Sequence, residues 1–185
     1  SIFCSLLDTP EAGIFQLSPD LPDARREQIY LPDTNVLQTR WLSERAVVEV
    51  TDLLPIGDSE DCLPLLMRRV RVVSGEATFH MRCAVRHDYA RAQTRAQMDK
   101  EDVTFVAADQ LPMRLSSDQV LRVDGNAAIA EFTLKQDQSA QFLLGGLDDP
   151  RFKEGAAAIC LQRTLKFWRD WIGQSNYRGR WREMV

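Results

Sequence analysis

Gly75-Glu76-Ala77-Thr78-Phe79-His80-Met81-Arg82-Cys83-Ala84-Val85-Arg86 alternates without interruption. Ala77, Phe79, Met81, Cys83 and Val85 fall on one side, and Thr78, His80, Arg82, Ala84 and Arg86 on the other. Successive side chains of an extended chain point to opposite faces, so this pattern specifies a strand with one face buried and one in water. Immediately upstream, Leu65 to Val73 is rich in Val and Arg, and Ser74-Gly75 has the chemistry of a short connection. The two segments therefore read as an antiparallel hairpin. The same grammar recurs at Ile14 to Leu17, Val36 to Leu42, Ala46 to Leu53, Val103 to Ala107, Gln119 to Val123, Ala127 to Leu134 and Ala140 to Leu144. Turn residues separate these segments, notably Asp124-Gly125-Asn126, whose Gly and Asn tolerate positive φ. About ten short strands without intervening helices call for packed antiparallel sheets, because each sheet has an apolar face to cover. The expected fold is mainly β, a large antiparallel β-sandwich.

After Pro150 the period changes. Ala158, Leu161, Leu165, Trp168 and Ile172 recur at spacings of three and four, with Phe167 and Trp171 widening the stripe. This predicts one C-terminal α-helix, with Asp148-Asp149-Pro150 as its start signal and Gly173 as its stop. Leu54 to Pro64 is the longest polar loop between strands. The chain thus divides into a sandwich over 1–149, a helix packing on it over 150–174, and a connecting segment over 175–185.

Composition narrows the function classes. The chain has 185 residues, 44% hydrophobic and 27% charged, which suits one soluble domain with its own core. A net charge of −4 offers no field for a phosphate backbone, so nucleic acid is not an expected partner. No apolar run approaches the roughly 18–20 residues of a membrane span, and the first residues lack the charged-then-apolar layout of a secretory signal. Cys4, Cys62, Cys83 and Cys160 are far apart, without C-x-x-C spacing, and only His80 and His87 accompany them. Neither a metal nor another cofactor is expected, and the cysteines read as reduced, mostly buried thiols of a cytoplasmic protein.

Four motifs go further. Phe167-Trp168-Arg169-Asp170-Trp171 leads to Tyr177-Arg178-Gly179-Arg180-Trp181-Arg182-Glu183-Met184-Val185. Tyr30-Leu31-Pro32-Asp33-Thr34-Asn35-Val36-Leu37-Gln38-Thr39 and Glu49-Val50-Thr51-Asp52-Leu53-Leu54-Pro55 lie upstream, with Arg86-His87-Asp88-Tyr89-Ala90-Arg91 between. In order and spacing these resemble the x-F-W-x-x-W and Y-x-G-x-W-R-x-x-V, Y-x-x-x-T-x-x-L-x-T, V-x-D-x-x-P and P-x-F-D-Y-x-R motifs of a known domain. That domain is the N-terminal β-domain of bacterial glucoamylase-like and trehalase-like enzymes of glycoside hydrolase family 15. In the last motif the leading Pro and the Phe are replaced here. Ser1 to Asp8 also resembles the family's x-S-x-F-x-x-L-L-D segment, and the resemblance covers nearly the whole chain. It implies a galactose-mutarotase-like supersandwich, further strands upstream, and a catalytic (α/α)6 domain following in the same polypeptide, so that the chain is a piece cut at both ends. It also implies that the catalytic glutamates belong to that barrel and that no catalytic residue lies here. Asp88, Tyr89 and Arg91 become a substrate-rim loop, and Tyr177, Trp181 and Arg182 an interdomain contact.

The residues themselves offer little chemistry. Inverting glycoside hydrolysis takes two carboxyl groups ~6.5–9.5 Å apart. The acid pairs Glu60-Asp61, Glu101-Asp102 and Asp148-Asp149 read instead as solvated turn formers. His80 falls on the polar strand face, His87 beside Asp88 imitates only part of a mutarotase-type site, and no nucleophile elbow is present. Trp41, Trp168 and Trp171 read as packing residues, with stacking on sugar rings as the alternative. The expected function is a noncatalytic N-terminal domain that supports the barrel of an inverting α-glucoside hydrolase, whose substrate is an α-glucan or trehalose. A carbohydrate- or protein-binding module and a mutarotase-like epimerase are the other readings. Loss of upstream strands leads to an expectation of self-association through an unpaired sheet edge.

Overall fold

The computed structural model describes residues 2–3, 13–56, 65–147, 149, 156–176 and 179. Eleven antiparallel strands and one helix form among them. The strands are β1 (Ile14–Pro19), β2 (Arg25–Tyr30), β3 (Leu37–Leu42), β4 (Ala46–Leu53), β5 (Leu66–Ala84) and β6 (Arg95–Asp99). They continue with β7 (Asp102–Val106), β8 (Met113–Ser117), β9 (Arg122–Asp124), β10 (Ala127–Lys135) and β11 (Ser139–Gly146), and α1 (Ala156–Gly173) follows.

Residues 66–84 do not form the expected hairpin. They make one strand of 19 residues that runs through both sheets. Its first half pairs with β4 on one side and β11 on the other, within the large sheet β2-β3-β4-β5-β11-β8-β7-β6. Its second half pairs with β1 and β10, within the small sheet β1-β5-β10-β9. The change of sheet is made at a bulge. Val47 faces Ser74 while Val48 faces Val72, so Val73 is the extra residue, and Gly75 follows with φ of 79°. An added residue bends a strand and reverses the parity of its side chains. Val70 and Val72 face the core before the bulge, and Ala77, Phe79, Met81 and Cys83 after it. Ser74-Gly75 thus supplies the left-handed conformation that a turn would need, but uses it to redirect a strand. The loop expected at Gly125-Asn126 does form: Asp124 pairs with Ala127, and Gly125 has φ of 57°.

The bend folds the two sheets face to face. Phe142 of β11 meets Phe15 of β1 edge-on at 6.5 Å and Phe132 of β10 at 5.7 Å, and Phe132 stacks on Phe79 at 5.3 Å. This aromatic chain ties the inner faces together within one continuous core. One ion pair enters that space. Arg68 donates to both carboxylate oxygens of Asp52 at 2.7 and 3.1 Å and to the Phe15 carbonyl, and its guanidinium lies 4.7 Å from the Phe15 ring. Cys83 is fully buried nearby. Burial pushes its thiol well above the ordinary range, which the positive charge of Arg68 offsets in part. Cys83 and Cys160 are free thiols, whereas Cys4 and Cys62 lie outside the described residues.

Helix α1 covers the other face of the large sheet, where Leu161 and Leu165 pack against Val36, Leu53, Leu65, Met67 and Leu143. Thr164 is fully buried. Its hydroxyl donates to the Cys160 carbonyl at 2.8 Å and accepts from the Ile56 amide at 3.1 Å, pinning the chain after β4 to the helix. The buried stripe is narrower than its sequence pattern. Ala158 is exposed, Phe167 and Trp171 are 41% and 51% exposed, and Cys160 and Thr164 take inner places instead. The helix begins at Ala156, and Pro150 of the expected start lies outside the described residues. No helix among the described residues is long and apolar enough to cross a membrane.

Two stability measurements check this architecture. A Cβ at position 75 would sit 2.1 Å from the Arg45 carbonyl oxygen, so Gly75→Ala is expected to lower unfolding free energy by at least ~2 kcal/mol in urea. A loss within experimental error would remove the bulge from its central place. Trp168→Ala is expected to cost ~2–4 kcal/mol and Trp171→Ala less than ~1 kcal/mol, and reversal of that order would contradict the helix orientation.

Candidate functional site

The register of the large sheet brings several chain segments to one end. Tyr30 pairs with Leu37, Leu37 with Asp52, Leu53 with Met67, Leu66 with Leu144, Gly146 with Met113 and Val106 with Arg95. The β2–β3 loop, residues 54–56, the β7–β8 loop and the loop entering β6 therefore leave the sheet on the same side. Three of the sequence motifs lie at this end of the sheet: 30–39 and 49–55 are neighbours at the β2–β4 edge, and 86–91 stands at the opposite, β6 edge.

Several motif residues have a local physical role. Thr34 donates its hydroxyl to the Leu31 carbonyl at 2.8 Å and accepts from the Val36 amide at 3.1 Å, which fixes the β2–β3 loop around Asp33, with φ of 59°. Thr39 is buried and accepts from the Gln28 side chain at 2.9 Å. Asp52 is the partner of Arg68. The third motif is more unusual. Asp88, Tyr89 and Ala90 have φ of 50°, 55° and 66°, a left-handed run of three without a glycine. Left-handed conformation costs an L residue roughly 1–2 kcal/mol, so the surroundings have to impose it.

They do so from both sides. His87 is buried, its amide donating to the Thr94 hydroxyl at 3.1 Å. Its Nε2 lies 3.0 Å from the Leu111 carbonyl and its Nδ1 3.1 Å from Thr94 Oγ1. A carbonyl only accepts, so Nε2 carries a proton, and in the neutral ring Nδ1 accepts from the Thr94 hydroxyl. With both nitrogens engaged in the fold, His87 is a clamp and contributes nothing to a mutarotase-type site. Beyond the turn, Arg91 donates to the Asp88 carboxylate at 2.6 Å and to its carbonyl at 3.1 Å. The result holds Asp88 and Arg91 together and leaves Tyr89 59% exposed at the tip.

At the other side of the same end, the C-terminal half of α1 and the β2–β3 loop enclose a groove of about 590 Å³, lined by Tyr30, Pro32, Asn35, Trp168, Trp171 and Ile172. Trp168 and Trp171 meet edge-on at 5.9 Å, and the Trp168 indole N–H is buried without a hydrogen-bond partner among the described residues. Ile29 and Tyr30 are exposed beside it.

Of the residues singled out from sequence, Asp88, Tyr89 and Arg91 share one turn. Tyr177, Trp181 and Arg182 lie outside the described residues. So do Glu60, Asp61 and Asp148, whereas Asp102, expected to be a solvated turn former, opens β7 and accepts from Arg114 Nε at 2.6 Å. Trp41 packs against the core as expected, with Arg26 5.5 Å above its ring. Thr94 and the Leu111 carbonyl, which shape the 88–90 turn, have no sequence signal that distinguishes them from ordinary loop residues.

These features define a two-sheet antiparallel β-sandwich with a shaped loop end. Within that class the chain belongs to the family described as trehalase-like, N-terminal, which matches residues 1–146 and so stops at the last residue of β11. Similar proteins extend the likeness across α1. The trehalase of Mycobacterium tuberculosis is 28% identical over 204 residues, covering 96% of this chain and 29% of its own length. The trehalase of Thermoplasma acidophilum is 25% identical, covering 100% of this chain and 32% of its own length. The trehalase of Mycolicibacterium smegmatis is 27% identical, with 96% and 30% covered. The chain thus spans about a third of the length of these relatives.

The left-handed turn gives a direct check. Ala90→Gly removes a Cβ from a positive-φ position and is expected to stabilise the domain by ~0.5–1 kcal/mol, after the added freedom of the unfolded chain is counted. A destabilised Ala90→Gly variant in thermal and urea unfolding would mean that the turn is not strained.

Proposed function

We propose that this chain is the noncatalytic N-terminal domain of a family 15 glycoside hydrolase of trehalase or glucoamylase type. Its loop end docks against the (α/α)6 catalytic domain and supports the rim of the substrate pocket. The observation that carries this reading is the placement of the 30–39, 49–55 and 86–91 motifs along one end of the large sheet, the first of them beside exposed Trp171 and Tyr30. Separate motifs with a common destination fit a surface shaped for a partner. Tyr89, presented on a strained turn between two clamps, is suited to the rim role with Asp88 and Arg91.

Three further considerations support the reading. The relatives are about three times as long as the region they share with this chain, which leaves room for a catalytic domain. Asp52, Asp88, Asp102 and Asp124 are each paired with arginine, a poor setting for an acid and base that must exchange protons across a water. The trehalase names of the relatives make trehalose the first substrate to test, with α-glucans second. In this reading 1–149 is the sandwich, 150–174 the packed helix and 175–185 the connection, where Tyr177, Trp181 and Arg182 contact the second domain. The free, buried Cys83 and Cys160 suit a reducing cytoplasm.

The test is to produce the chain alone and joined to the coding sequence downstream of Val185. The joined polypeptide is expected to hydrolyse trehalose, the chain alone to be inactive, and amides of 31–36 and 87–92 to gain hydrogen-exchange protection on joining. Turnover by the repurified chain alone, or identical protection in the two proteins, would defeat the proposal.

A further inference from the structure

The outer face of the small sheet is remote in sequence from the loop-end motifs and has a chemistry of its own. Two adjacent rows cross it. Gln16 of β1, Arg82 of β5, Ile129 of β10 and Arg122 of β9 form one, and Ser18, His80 and Glu131 form the next. Together with the segment around Val120 they line a cavity of about 550 Å³ open to solvent.

The polar groups in these rows are incompletely used. His80 Nδ1 and Glu131 Oε2 are 3.8 Å apart, too far for a direct hydrogen bond and near enough for one inserted oxygen to serve both. Arg82 reaches Asp124 with one long contact of 3.3 Å, leaving most of its fork free. The side chains of Gln16, Ser18 and Arg122 have no hydrogen-bond or ionic partner among the described residues. Charge is nearly balanced: Arg82 and Arg122 stand against Glu131 and Asp124. An anion would find carboxylates beside its cations, and a cation would find the reverse. A neutral ligand with many hydroxyl groups meets neither repulsion, and each hydroxyl both donates and accepts. Ile129 and Val120, the latter 78% exposed, add apolar surface for the C–H faces of such a ligand.

The geometry points to a binding site for a neutral sugar on the outer face of β1, β5, β10 and β9, with Arg122 and Glu131 as its principal hydrogen-bonding residues. Adjacent strands ~4.8 Å apart set the Arg82 and Arg122 donors in one row and the Glu131 acceptor in the next, a spacing that suits hydroxyls two carbons apart on a pyranose ring. With a shallow wall and no aromatic platform, binding is weak. The site stands on this sheet alone and does not depend on the docking of the loop end.

Titration of the isotope-labelled chain with trehalose, followed by backbone amide shifts, tests it. Saturable shifts are expected at residues 16–18, 80–82, 120–122 and 129–131, with a dissociation constant in the ~1–10 mM range. Arg122→Ala and Glu131→Gln are each expected to weaken binding by about tenfold without moving the unfolding midpoint, because both side chains are exposed. Glu131→Gln keeps the shape and loses the charge, so it decides the matter if Arg122→Ala alters folding. Absence of saturable shifts in these segments, or shifts centred on Tyr30 and Trp171, would overturn the site. Response to sulfate without response to trehalose would overturn the ligand class.

Discussion

Everything in this domain is arranged around the continuity of β5. A strand of 19 residues has partners along its whole length on both sides, β4 and then β1 on one, β11 and then β10 on the other. The β10–β11 turn follows it through the change of sheet: the Asp137 amide donates to the Val72 carbonyl at 2.8 Å and Val72 donates back to Gln138 at 3.1 Å. The sandwich is therefore closed by one hydrogen-bonded spine, with the aromatic contacts of Phe15, Phe79, Phe132 and Phe142 filling the angle it creates. Two sheets joined in this way are expected to lose structure together, since neither keeps a complete ladder without the shared strand.

The sequence was most legible where burial is one-sided. β4 matches its expected span, β10 and β11 differ by a residue or two, and the alternation of 77–85 records the small sheet directly. β2, β6 and β8 carry no such signal: β8 buries only Leu115, and β2 and β6 are the edge strands of the large sheet. Arg-Arg-Glu-Gln-Ile-Tyr and Arg-Ala-Gln-Met-Asp are largely solvated and carry no apolar face to announce them. The bulge is ambiguous in the sequence for a different reason. Gly75 does signal a positive φ, but sequence does not say whether the chain then reverses or merely bends. That is decided by Ala46 and Val48 on the neighbouring strand.

The loop end was legible as motifs and illegible as a place. Thr34, Asp52 and Asp88 match a family pattern, yet their position at a common end depends on strand registers fixed over the whole large sheet. His87 shows the limit most clearly. Beside Asp88 it has the look of a catalytic histidine, and only the positions of Thr94 and Leu111 reveal that both ring nitrogens are occupied by the fold. The outer face of the small sheet was equally hidden, because Gln16, His80, Arg122 and Glu131 come from four strands and form rows only in the assembled sheet.

The parity reversal at Val73 also limits how sequences of this kind can drift in length. One residue gained or lost between Gly75 and Ala84 would turn Phe79, Met81 and Cys83 outward and bring His80 and Arg82 into the core. Such an insertion or deletion cannot be absorbed locally, because β1 and β10 read the same register from opposite sides. The match to the mycobacterial trehalase extends over 204 positions, more than the 185 residues of this chain, so the relatives do differ in length. Geometry disfavours placing such differences within β5, where the parity of Phe79, Met81 and Cys83 would be lost, and favours the loops.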